Sequence, residues 1–115
     1  MKKYLLIVAI LISGIISAQN IAPKHEVVGN LIKSTYYYEN GKVSQEGFFK
    51  KGKLHGTWVS FDENGTKNAI AEYNNGKKTG KWFFWNNNNL TEVDYSENRV
   101  ASVKTWKEDA IVNRN

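Results

Sequence analysis

The chain has 115 residues, one proline, no cysteine and a formal net charge of +5. That is material for one domain at most. The missing cysteines exclude a disulfide framework, a thiolate metal site and a lipid-modified N-terminal cysteine. The mild positive balance falls short of the basic footprint that nucleic-acid binding needs, so no nucleic-acid partner is expected.

In chain order, Lys2 and Lys3 precede an almost unbroken apolar run from Tyr4 to Ile16, and Ser17-Ala18 supplies small residues for a cut before Gln19. That order reads as a signal peptide over residues 1–18. A spanning helix needs about 20 apolar residues, and this run is shorter and carries Gly14 near its end, so cleavage is expected rather than a retained anchor. The product would be exported, to the periplasm or beyond. Residues 19–33 form an N-terminal segment and cap strand, with Pro23 placed where it disturbs no pairing. Gly29-Asn30-Leu31 echoes Gly52-Lys53-Leu54 and makes Val27 to Lys33 half a repeat.

From residue 34 to 106 the chain repeats with a period of 24 residues. Asn40-Gly41 recurs as Asn64-Gly65, Gly52 as Gly76, Gly56 as Gly80 and Trp58 as Trp82, and Trp106 continues the spacing. Several independent positions on one period signal a repeat architecture. Asn-Gly is the preferred centre of a two-residue hairpin turn, with positive φ at both positions. Gly52-Lys53 and Gly76-Lys77 mark the opposite turns. Between turns lie runs rich in β-branched and aromatic residues, such as Ser34 to Tyr38, Thr57 to Phe61 and Lys81 to Trp85, with room for strands of about 5 to 8 residues. The expected fold is all-β: an open antiparallel β-meander with two strands per repeat, following an N-terminal signal helix. A closed up-and-down barrel is the rival.

The third copy is worn. Asn86 to Asn89 replaces the Asn-Gly turn, Tyr95 follows Tyr73 by 22 residues, and Asn98 stands where a glycine is expected. Terminal repeats are atypical because they cap the stack. Residues 107–115 are expected to be a tail or a further cap.

Glu46 to Trp58, read as EGFFKKGKLHGTW, is similar to the core of a MORN repeat, as is Glu72 to Trp82. Tyr38-Glu39-Asn40-Gly41 and Phe61-Asp62-Glu63-Asn64-Gly65 resemble the Tyr-x-Asn-Gly element of the bacterial variant of that repeat. The resemblance covers roughly residues 36 to 106. It implies stacked β-hairpins and an interaction or membrane-associated role. Some bacterial relatives carry antitoxin labels, but an exported chain would leave a cytoplasmic toxin behind.

Candidate chemistry is sparse. His55 lies beside Gly56, yet 24 residues on stands Thr79, and no recognisable partner or nucleophile accompanies it. His25 with Glu26 makes too few ligands for a metal. Glu46, Glu72, Glu92 and Asp94 fall on strands, but a glycosidase pair needs a cleft and a separation of about 5 to 9 Å. Neither a catalytic set nor a cofactor is expected.

Two surface features remain. Trp58, Trp82 and Trp106 share a repeat position and should line one face, while Val59, Phe61, Phe83 and Trp85 point the other way. Most of these aromatics would form the array's own core, leaving Phe83 and Trp85 as a candidate binding stripe. Alternate turns fall on opposite edges, so one edge collects Lys50, Lys51, Lys53, Lys77, Lys78 and Arg99, and the other collects Glu39, Asp62 and Glu63. The basic edge suits an anionic surface. The expected function is a non-catalytic binding or scaffold module for an envelope protein or an anionic membrane surface. Self-association through terminal strands is the alternative, and an antitoxin-like binder or a small enzyme ranks below both.

Overall fold

The computed structural model describes residues 21–107. The expected signal peptide and most of the expected C-terminal tail lie outside them. The described residues form one antiparallel sheet of nine strands: β1 (Lys24–Val28), β2 (Leu31–Tyr37), β3 (Val43–Lys50), β4 (Lys53–Phe61), β5 (Lys67–Asn74), β6 (Lys77–Lys78), β7 (Gly80–Asn86), β8 (Asn89–Ser96) and β9 (Arg99–Lys107). Strand order follows chain order, β6 being a short piece that pairs with β5 just ahead of β7. β1 and β9 stand at the two ends of that order, so the sheet is an open meander and not a closed barrel.

The two edges use different turns. On one edge, Lys51-Gly52 (φ 50° and 79°), Asn75-Gly76 (50° and 87°) and Glu97-Asn98 (54° and 70°) have both central residues in the left-handed region. This is the type I′ geometry whose twist matches that of the strands it joins. The turn is therefore centred one residue before the Gly-Lys pair marked in the sequence. On the other edge, Asn40-Gly41 and Asn64-Gly65 are not the centre of a two-residue turn. The Gly41 N–H donates to Tyr38 O (3.0 Å) and the Tyr38 N–H to Lys42 O (2.8 Å). The Asp62 to Thr66 loop repeats both bonds, at 3.0 and 2.8 Å. Of each pair only the glycine has positive φ, at 89° and 94°. This is the three-residue hairpin loop closed by a left-handed glycine.

Bulges recur with the repeat. Ser44 in β3 and Asn68 in β5 are single extra residues 24 apart. Where β3 meets β4, and where β5 meets β6 and β7, the second strand carries two extra residues. Gly56 (φ 72°) and Gly80 (φ 66°) lie within these wider bulges. Bulges bend and twist a strand, and the bent sheet turns one face inward. That face carries the buried core: Tyr36, Trp58, Tyr73, Trp82, Val93 and Tyr95, with Phe49, Leu54, Ala71 and Phe84 packed against it.

The core is built twice on one plan. The Trp58 indole meets Phe49 edge-on at 5.2 Å, and Trp82 meets Tyr73 at 5.1 Å, both members shifted by one repeat. The Trp58 Nε1–H donates to Phe48 O (2.9 Å) and the Trp82 Nε1–H to Glu72 O (3.0 Å), again one repeat apart. Each aromatic pair contributes about 0.5–1.5 kcal/mol beyond its buried area.

Trp106 does not join this row. Ala71 faces Trp58 and Val93 faces Trp82 in the same way, but the partner of Val93 on β9 is Val103. One residue is lost where the two-residue Asn87-Asn88 turn replaces the three-residue loop, and a second because β8 lacks the single-residue bulge that Asn68 makes in β5. A third is lost because β9 bulges by the single residue Ala101. An odd shift reverses the face, so Trp106 sits opposite Leu90, which sits opposite Trp85, on the outer face.

Candidate functional site

The stacked turns of one edge carry most of the expected basic residues. Lys51, Lys53, Lys77 and Arg99 are exposed there, and Lys50 is half-buried. The edge is built by turn-to-turn bonds: the Gly76 N–H donates to Leu54 O (2.7 Å), the Asn98 N–H to Lys78 O (2.9 Å) and the Asn75 N–H to His55 Nδ1 (3.1 Å). His55 thus holds the next turn in place. Lys77 is partly neutralised by Glu97, 3.4 Å away on the following turn. Strands lie about 4.8 Å apart, so turns two strands apart repeat every ~9.5 Å.

Lys78 departs from the expected edge. It pairs with Tyr73 across the hairpin and points inward, with no exposed surface and its Nζ 5.9 Å from the centre of the Tyr95 ring. Burial pushes its ammonium below the ordinary lysine value. The residue one repeat earlier, Leu54, also packs against the core. Alternation along the strand explains the correction: with Lys77 facing out, Lys78 must face in.

The opposite edge is locally rigid and carries Glu39, Asp62 and Glu63, with the Lys42 ammonium among them donating to Asn64 O (3.3 Å). Asp62 Oδ1 accepts from the backbone N–H of Asn64 (2.9 Å) and of Thr66 (3.0 Å), and Asn40 Oδ1 accepts from the Lys42 N–H (2.9 Å). The Tyr38 hydroxyl donates to Phe61 O at 2.6 Å and the Asn40 amide to Glu63 O at 3.0 Å, tying one loop to the next. Partial burial, with Glu63 and Asp62 nearby, holds the Tyr38 phenol above its ordinary pKa.

The outer face carries the second feature. Phe83 and Trp85 are half-buried, with ring centroids 6.2 Å apart and an interplanar angle of 27°. Leu90 and Trp106 extend this stripe across β8 and β9. Sequence reasoning missed both, and the legible signal was the 22-residue step to Tyr95. Three of the four strand carboxylates are engaged on this face: the Lys81 ammonium donates to Glu92 (2.8 Å) and Asp94 (3.3 Å), which raises its pKa, and Glu72 accepts from the Thr57 hydroxyl (2.8 Å). Among the described residues, no group of three or more His, Cys, Asp or Glu side chains is placed to hold a metal ion. No described helix is long and apolar enough to cross a membrane.

The MORN repeat variant family matches the chain twice, at residues 32–51 and 54–75. Each matched segment spans one strand, one long loop and the next strand, and the two lie in tandem. No curated protein and no solved structure matches the chain.

Proposed function

We propose, from the premise that this chain carries tandem repeats of the MORN repeat variant family, that it is an exported, non-catalytic binding module. Its basic edge would rest on an anionic lipid surface. The observation that carries this reading is the separation of charge between the edges. Lys51, Lys53, Lys77 and Arg99 are exposed on three successive turns of one edge, and Glu39 and Glu63 are exposed on the loops of the other. A rigid row of lysines suits a layer of phosphate headgroups, each lysine contributing about 1 kcal/mol near such a surface. Lys78 takes no part, because its ammonium is turned into the core. The Lys2-Lys3 start and the apolar run to Ile16 support export.

The test is co-sedimentation of residues 19–115, the form left after cleavage, with anionic and neutral vesicles at low and high salt. The reading expects binding to anionic vesicles alone, lost at high salt. Equal binding to neutral vesicles, or none to either, would direct the search to an envelope protein partner.

A further inference from the structure

The five large hydrophobic side chains that are exposed among the described residues are confined to the ends of the sheet. Val27 (77 %), Val28 (47 %) and Ile32 (37 %) lie on the β1–β2 hairpin, and Val100 (45 %) and Val103 (57 %) lie on β9. Among the described residues both end strands present an unpaired edge, and such an edge is a template for another strand. We propose that β1 of one molecule pairs antiparallel with β9 of a second copy, so that the sheets join head to tail. This does not rest on the lipid-surface reading above.

Direction, hydrogen bonding, faces and charge all favour the same register. The path contains eight successive strands, so a second copy added beyond β9 keeps the antiparallel alternation and leaves like turns on like edges. Residues bracketing a two-residue turn exchange hydrogen bonds, and the pattern alternates from there. Val28 and Leu31 bracket one such turn, so the backbone groups of His25 and Val27 point to the open edge. The same count through β7, β8 and β9 points those of Val103 and Thr105 outward.

Val27 opposite Val103 then places His25 opposite Thr105, both pairs on the inner face. On the outer face Glu26 meets Lys104, and Lys24 meets Trp106. The register uses only the unbulged stretch of β9 beyond Ala101. Pairing of β9 with itself would instead bring together two strands that each carry Arg99, Lys104 and Lys107 with no acid. Val103 stands where Trp58 and Trp82 stand in the earlier repeats, and a small side chain there leaves the edge open to a neighbour. A joint of this kind is heterologous and extends into filaments or closes into a ring.

The natural chain has no cysteine, so single cysteines report the joint directly. The test uses full chains as recovered from expressing cells, one carrying Val27→Cys and the other Val103→Cys, mixed under mild oxidation. Both positions are largely exposed, so the fold tolerates the changes. The expected result is a reducible dimer in the mixture and none from either variant alone. Lys104→Glu should lower the yield about fivefold, and Glu26→Lys on the partner should restore it. Absence of the mixed dimer, or an equal dimer from Val103→Cys alone, would overturn head-to-tail pairing. Sedimentation velocity of the unmodified chain gives an independent reading. Association that rises with concentration and is weakened in Lys104→Glu supports the joint, and a monomer at all concentrations contradicts it.

Discussion

The Trp58 indole lies directly over Gly47, so closely that a Cβ on Gly47 would overlap the ring carbons. The glycine gives Trp58 the depth it needs to reach Phe48 O with its Nε1–H. The contact involves side-chain ring atoms on one partner and backbone on the other, so neither yields without moving the strand. Gly47→Ala should destabilise the fold by about 1–3 kcal/mol, the range for forced overpacking. Urea unfolding followed by tryptophan fluorescence measures it, and an unchanged midpoint would show that the indole relocates freely.

The three period-related tryptophans should differ on substitution. Trp58→Phe and Trp82→Phe each remove an indole hydrogen bond to a backbone carbonyl and leave space in the core, at about 1–3 kcal/mol. Trp106→Phe should change stability by less than about 0.5 kcal/mol, as for a surface position. Chemical denaturation of the three variants under one condition decides this, and equal losses would place Trp106 back in the row.

Asn98 occupies a left-handed position where glycine is the ordinary choice, with φ 70°. Its side chain gives the reason, since Oδ1 accepts from the Lys78 N–H at 2.7 Å. Asn98→Gly should therefore destabilise the protein by about 1 kcal/mol, although it relieves the backbone. A thermal midpoint that rises instead would mean the hydrogen bond contributes less than the strain.

The tyrosines set the alkaline limit. Burial raises the pKa of Tyr36, Tyr38 and Tyr73 above the ordinary 10.0. Above that value the unfolded chain releases phenol protons that the native state keeps, so stability present below pH 10 is lost as pH rises. Tyr73 is the most strongly raised, with Tyr95 reinforcing the effect of burial. Its hydroxyl is buried without a hydrogen-bond partner among the described residues. Tyr73→Phe should thus be neutral or mildly stabilising at pH 7 and should flatten the loss above pH 10. An unchanged alkaline slope in pH-dependent unfolding would contradict this.

The repeat was legible in the sequence because Asn-Gly, Gly-Lys and Gly-x-Trp each recur at one spacing, and spacing of this kind reports fold directly. Faces were harder to read. Parity along a strand depends on every bulge between two positions, and bulges such as Ser44, Asn68 and Ala101 leave no mark in composition. That is why the regular spacing from Trp82 to Trp106 does not report their faces, which are opposite. Lys78 departs from the edge for a related reason: Lys77 and Lys78 adjoin one turn, yet neighbouring strand residues face opposite ways. The turn residues themselves were recognisable, but Asn-Gly serves both a two-residue and a three-residue hairpin, and only the hydrogen bonds distinguish them.

The two edges can be tested against each other in one measurement: binding to anionic vesicles by residues 19–115, by the variant Lys51→Glu with Lys53→Glu, and by the variant Glu39→Gln with Glu63→Gln. The basic-edge account predicts that the lysine variant loses binding by at least about tenfold while the glutamate variant binds as well or better. Equal binding by all three proteins would contradict it.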